Sequence, residues 1–110
     1  MINRMALFSD ETAAFRTPYE PVKGDLVTIR LRTLADDVKR AYTVINGLKK
    51  EMSKCATEGL FDYYSVTLTC TDDPVSYYFV IYDDDDKVCY NKLGWAENNQ
   101  SEYNFSFIPG

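Results

Sequence analysis

FDYYSVTLTC at Phe61–Cys70, SYYFVIYDDDD at Ser76–Asp86 and KVCYN at Lys87–Asn91 decide how this chain folds. Six of its nine tyrosines lie here: Tyr63, Tyr64, Tyr77, Tyr78, Tyr82 and Tyr90. The segments are rich in β-branched and aromatic residues, which fit a pleated, half-buried surface. Asp72-Asp73-Pro74 and Asp83–Asp86 separate them as turns. On a strand successive side chains point to opposite faces. Each tyrosine pair therefore sends one ring inward and one outward. With Val66 and Leu68 inward, Tyr64 joins the core and Tyr63 is left outside. With Phe79 and Ile81 inward, Tyr77 joins the core, and Tyr78 and Tyr82 are left outside. Phe61, Phe79, Phe105 and Phe107 are assigned to packing.

The rest of the chain follows the same period. In Leu26–Arg32, Val27, Ile29 and Leu31 alternate with Thr28, Arg30 and Arg32, the pattern of a half-buried strand. Lys39–Ile45 reads as a strand with Tyr42 outward, and Asn46-Gly47 is a hairpin signal. Leu48–Thr57 is ambiguous: Leu48, Met52 and Cys55 fit helical spacing, but the segment is short and follows a hairpin turn, so it reads as strand or irregular. Thr17-Pro18-Tyr19-Glu20-Pro21 is extended and edge-like, since proline restricts itself and its predecessor. Leu93–Glu102 reads as a polar loop carrying the single tryptophan, Trp95. Tyr103–Ile108 alternates again. The expectation is all-β: an immunoglobulin-like antiparallel β-sandwich of about seven strands.

A length of 110 residues suits one domain burying roughly two-thirds of its unfolded surface. No repeat or linker divides it. The net charge of −5 argues against a nucleic-acid partner and against an anionic membrane surface. No apolar run reaches membrane-span length, and MINRMALFSDE has no secretory leader pattern, so a cytoplasmic location is expected. Cys55, Cys70 and Cys89 are odd in number and lack Cys-x-x-Cys spacing, which reads as reduced core thiols.

The chain contains no histidine, which removes histidine-based triads and histidine metal ligands. It has no Gly-x-Ser-x-Gly or Ser-x-x-Lys motif and no glycine-rich phosphate loop. Nothing singles out a catalytic pair among the seventeen carboxylates. No catalysis by this chain and no cofactor are therefore expected. Asp83–Asp86 reads first as a solvated hairpin turn; it also admits calcium through its oxygen ligands, with Asp36-Asp37 as further donors, though it lacks the glycine and terminal glutamate of an EF-hand. The outward aromatics carry the sharper reading. A sugar ring stacks its C–H face on an aromatic side chain while hydroxyls and carboxylates nearby take its hydroxyls. Trp95, Tyr78, Tyr82, Tyr63 and Tyr42 are the candidate carbohydrate contacts. A few rings would bind in the micromolar to millimolar range.

The ordered set ALFSDETAAFRTPYEP, DLVTIRLRTLADDV, GLFDYYSVTL, SYYFVIYDDD, CYNKLG and YNFSFIPG resembles the N-terminal starch-binding domain of neopullulanases, cyclomaltodextrinases and related α-amylases of glycoside hydrolase family 13, carbohydrate-binding module family 34. The resemblance implies an excised β-sandwich that precedes a catalytic barrel. It also implies binding of α-glucan such as starch or maltooligosaccharide. The alternative it implies is a structural role, packing on the barrel or holding a homodimer together. It passes calcium ligation to Asp37 and Asp83. The family's stacking tryptophan before FDY has no aromatic counterpart near Met52, which shifts that role to Trp95 or the outward tyrosines.

Overall fold

The alternation in Leu26–Leu34 and Phe61–Thr69 builds the first of two sheets. The computed structural model describes all residues from Met1 to Gly110. Ten strands run in order: β1 (Arg16–Thr17), β2 (Leu26–Leu34), β3 (Arg40–Ile45), β4 (Leu48–Glu51), β5 (Ser53–Glu58), β6 (Phe61–Thr69), β7 (Val75–Asp83), β8 (Asp86–Asn91), β9 (Gly94–Ala96) and β10 (Phe105–Phe107). Short 3-10 turns occupy Arg4–Ala6 and Ser101–Tyr103. One sheet has the order β1-β2-β6-β5. The other has β4-β3-β7-β8-β9, with β10 also paired to β7. All pairings are antiparallel, and the fold is an immunoglobulin-like sandwich.

Ten strands replace the expected seven, for local reasons. The ambiguous segment Leu48–Thr57 is two edge strands rather than one element. Asn46 and Gly47 take φ of 48° and 83°, the twist of a tight hairpin turn, and launch β4 beside β3. Met52 then leaves the sheet. It is buried, and its N–H donates to the Ala41 carbonyl at 2.8 Å. Beyond it β5 pairs with β6 in the opposite sheet. The Leu93–Glu102 loop contains β9, whose Trp95 pairs in register with Tyr90. Tyr103 lies in the second 3-10 turn, so the last strand starts at Phe105.

The core between the sheets combines Val27, Ile29 and Leu31 of β2, Tyr64 and Val66 of β6, Tyr77, Phe79 and Ile81 of β7, and Phe105 and Phe107 of β10. Tyr77 stacks on Phe105 at 5.4 Å between centroids, and Phe79 meets both rings edge-on at 5.8 Å. The inward set read from alternation in the aromatic run is thus the observed one. Phe61 is the exception among the packing phenylalanines: it lies half-buried on the outer face of β6, with the Arg32 guanidinium 4.2 Å above its ring. Cys70 and Cys89 are buried, but Cys55 is exposed at a bulge in β5, so it is not the expected core thiol.

Two charged residues are also buried. Asp62 faces inward, fully buried, and accepts from Thr57 Oγ1 at 2.6 Å and from the Asp36 N–H at 2.9 Å. Lys54 Nζ lies 3.1 Å away. The Thr57 hydroxyl first, then the Asp36 N–H and Lys54, hold its carboxyl below the usual range against the opposing effect of burial. Arg16 of β1 is equally enclosed and reaches across to β7 and β10.

Candidate functional site: the outer face of the larger sheet

Side chains that alternate out of the core on β3, β7 and β8 meet on the outer face of the larger sheet. Register sets Val44 opposite Tyr78, and Val80 opposite Cys89. Val44, Val80 and Cys89 form a small second cluster, with Tyr78 and Tyr82 packed against it. Tyr42 meets Tyr82 edge-on at 5.6 Å. Lys49, opposite Val44 on β4, places its ammonium 4.6 Å from both ring centroids and donates to the Tyr82 hydroxyl at 2.6 Å. A shallow groove of about 440 Å³ runs over this floor. Tyr78, Tyr82, Lys49, Lys87, Asn98 and Asn99 line it together with the apolar cluster.

The five candidate carbohydrate residues fall in three places. Tyr78 and Tyr82 line this groove, and Tyr42 adjoins it through its edge contact with Tyr82. Tyr63 is on the opposite side of the molecule, on the outer face of the β1-β2-β6-β5 sheet, with Arg30 stacked 4.8 Å above its ring. Trp95 belongs to the same sheet as the groove but to its other face, because it pairs with the inward Tyr90. It is 48% exposed, with the Arg4 guanidinium 5.6 Å from its ring. Lys49, Lys87, Asn98 and Asn99 were not singled out from sequence. Lys49 and Lys87 carried a signal in the register opposite Val44 and Tyr82; the two asparagines reach the groove only through the path of the chain after β9.

The acidic turn is arranged differently from the calcium expectation. Asp84 has φ of 52°, closes the β7–β8 hairpin and accepts from Lys39 Nζ at 2.6 Å. Asp86 takes a bidentate bond from Arg4 at 2.8 and 2.9 Å and the Ile2 N–H at 2.8 Å. Asp37 accepts the Asn3 N–H at 2.7 Å, and Asp83 lies 3.6 Å from the amino group of Met1. No three metal-capable side chains converge. Here the donors of the N-terminal segment engage Asp37, Asp83 and Asp86.

This arrangement sets a pH response. The Arg4 guanidinium first, then the Ile2 N–H, hold the Asp86 carboxyl far below the ordinary range. Because the folded state lowers this pKa, the stability it contributes is fully present above about pH 5. It is lost as the pH falls below about 4. Asp62 is shifted in the same direction. Urea midpoints should therefore drop between pH 7 and pH 3. Asp86→Asn should be less stable at neutral pH and show a smaller acid-dependent drop; an unchanged pH profile would remove Asp86 from the account.

Comparison with known proteins bears on the fold. The family described as alpha amylase, N-terminal ig-like domain, matches residues 12–108. That domain is non-catalytic. No curated protein sequence matches the chain. Among solved structures, a cyclomaltodextrinase superposes with a TM-score of 0.80 at 22% identity, covering 98% of this chain and 20% of that one. A maltogenic amylase from S. marinus gives 0.75 at 18%, covering 98% and 15%. The type III pullulan hydrolase from Thermococcus kodakarensis gives 0.68 at 17%, covering 92% and 16%. The chain thus spans about a fifth or less of each of these proteins.

Proposed function

Because this chain belongs to the family of alpha amylase N-terminal ig-like domains, we propose that it is the α-glucan-contacting module of a longer glycoside hydrolase, with the chemistry carried by a separate barrel. This reading places it with the starch-binding modules of carbohydrate-binding module family 34. The observation that carries it is the groove on the outer face of the larger sheet, where two tyrosines and two asparagine side chains surround an apolar floor. Rings supply the stacking surface for a sugar's C–H face, and amides both donate to and accept from its hydroxyls. The groove is shallow and the rings few, so affinity belongs in the micromolar to millimolar range.

The test is an NMR titration of the isotope-labelled chain with maltooligosaccharide. Resonances of Tyr78, Val80, Asn98 and Asn99 should shift together. Tyr78→Ala and Tyr82→Ala should each weaken binding by roughly five- to tenfold, given about 1 kcal/mol per stacked ring. Trp95→Ala and Tyr63→Ala, which lie off the groove, should leave affinity unchanged. Absence of any shift at millimolar sugar would sink the reading.

A second reading is favoured by the Lys49 contact. Its ammonium covers faces of Tyr42 and Tyr82, so the tyrosine surface is partly occupied by the chain itself. On this reading the face packs against the catalytic barrel or a second subunit. Either version predicts no sugar-induced shifts in the isolated chain; the second-subunit version predicts in addition that the intact enzyme is dimeric and that removing this domain makes it monomeric.

A further inference from the structure

The outer face of the larger sheet differs in charge from the molecule that carries it. The chain has a net charge of −5. Yet the outward positions of β3, β4, β7 and β8 carry Arg40 (opposite Tyr82), Lys49 (opposite Val44) and Lys87 (opposite Tyr82), against one carboxylate, Glu51 (opposite Tyr42). Glu51 does not line the groove, whereas Lys49 and Lys87 do. Neither lysine makes an ion pair; they share this with Arg30, Arg32, Arg40 and Lys50, but only Lys49 and Lys87 line the groove. The acidic hairpin is adjacent in sequence but contributes no residue to the groove lining: Asp86 binds Arg4, and Asp84 binds Lys39. The groove therefore holds two unpaired ammonium groups beside aromatic rings and amides, with no acid among its lining residues.

We propose that this groove selects an anionic saccharide, an α-glucan bearing phosphate monoesters, over its neutral counterpart; the proposal rests on the sugar-binding reading above and names its ligand class. The physical reason is the position of Lys49. A neutral sugar that stacks on the face of Tyr82 covered by Lys49 must displace the ammonium and gives it no charged acceptor in return. A phosphate monoester gives that ammonium a charge-assisted acceptor as the ring is vacated. Lys87, at the other side of Tyr82, adds a second cation within the same groove. The remaining groups, Asn98 and Asn99, are left for hydroxyls.

The test compares three probes on the isotope-labelled chain by NMR: maltotriose, maltotriose carrying one phosphate monoester, and inorganic phosphate. The phosphorylated sugar should bind roughly tenfold tighter than maltotriose at about 0.02 M salt, with the gap closing towards about 0.5 M salt as the charges are screened. Lys49→Met and Lys87→Met, both at exposed positions, should each narrow the gap: Lys49→Met in part by tightening the neutral sugar, which no longer has to move an ammonium off the ring, and Lys87→Met by weakening the phosphorylated sugar. Equal affinity for the two sugars would overturn the proposal and leave the glucan reading standing. No binding of either sugar would overturn both. Inorganic phosphate binding as tightly as the phosphorylated sugar, or an acidic peptide such as oligo-aspartate displacing it more effectively than maltotriose, would assign the lysines to a partner other than a saccharide.

Discussion

Arg16→Ala is expected to destabilise the protein by about 2–4 kcal/mol, the cost of orphaning buried acceptors and opening a cavity. The guanidinium is almost wholly enclosed and joins parts of the chain that are far apart. One terminal nitrogen shares its two N–H groups among the Tyr77 hydroxyl at 3.3 Å, the Ser106 carbonyl at 3.2 Å and Glu11 at 3.3 Å. The other donates to the Tyr19 carbonyl at 3.1 Å. Its carbon lies 4.8 Å above the Phe107 ring. Alanine leaves the Tyr77 hydroxyl without its donor inside the core and opens space against Phe107. Native stability for a domain of this size is about 5–15 kcal/mol, so the variant should unfold at a much lower urea concentration. Arg16→Lys keeps the charge but lacks the planar fork, and should recover only part of the loss. A loss below about 1 kcal/mol for alanine would show that the two sheets do not depend on this bridge.

Phe79→Ala should cost about 3–5 kcal/mol, by a different route. Phe79 is fully buried in the middle of β7 and touches Tyr77 and Phe105 edge-on. Its strand pairs with β3 on one side and β8 on the other, so the backbone cannot collapse into the space left behind. Transfer free energy and the cavity then add. Phe79→Leu, which refills most of the volume, should lose about 1.5 kcal/mol or less. Chemical denaturation of both variants checks this. An alanine cost no greater than the leucine cost would mean that the site relaxes, contrary to its place between two paired strands.

The two variants probe features of unequal legibility in the sequence. Phe79 follows from alternation alone, because Tyr77, Phe79 and Ile81 share a period of two. The role of Arg16 is invisible there: an arginine beside Thr17-Pro18 reads as an exposed edge residue, and its partners Tyr77 and Ser106 lie 61 and 90 positions away. The same divide runs through the candidate site. Tyr42, Tyr78 and Tyr82 were legible as outward residues, and the structure brings them together. Tyr63 and Trp95 carried the same outward or exposed reading, and they lie on different surfaces.

What the sequence determined by itself was local. Side-chain alternation set which residues of each long strand enter the core, and Asn46-Gly47 set the hairpin between β3 and β4. The aromatic and β-branched content made the chain all-β. Only the tertiary structure decided which outward residues share a face. A strand's outward side is one of two outer surfaces, and the choice depends on which sheet it joins. That membership is set by long-range backbone pairing, and by Met52, where the chain leaves one sheet for the other. A period of two carries no record of it, because the same alternation is satisfied on either side of the core.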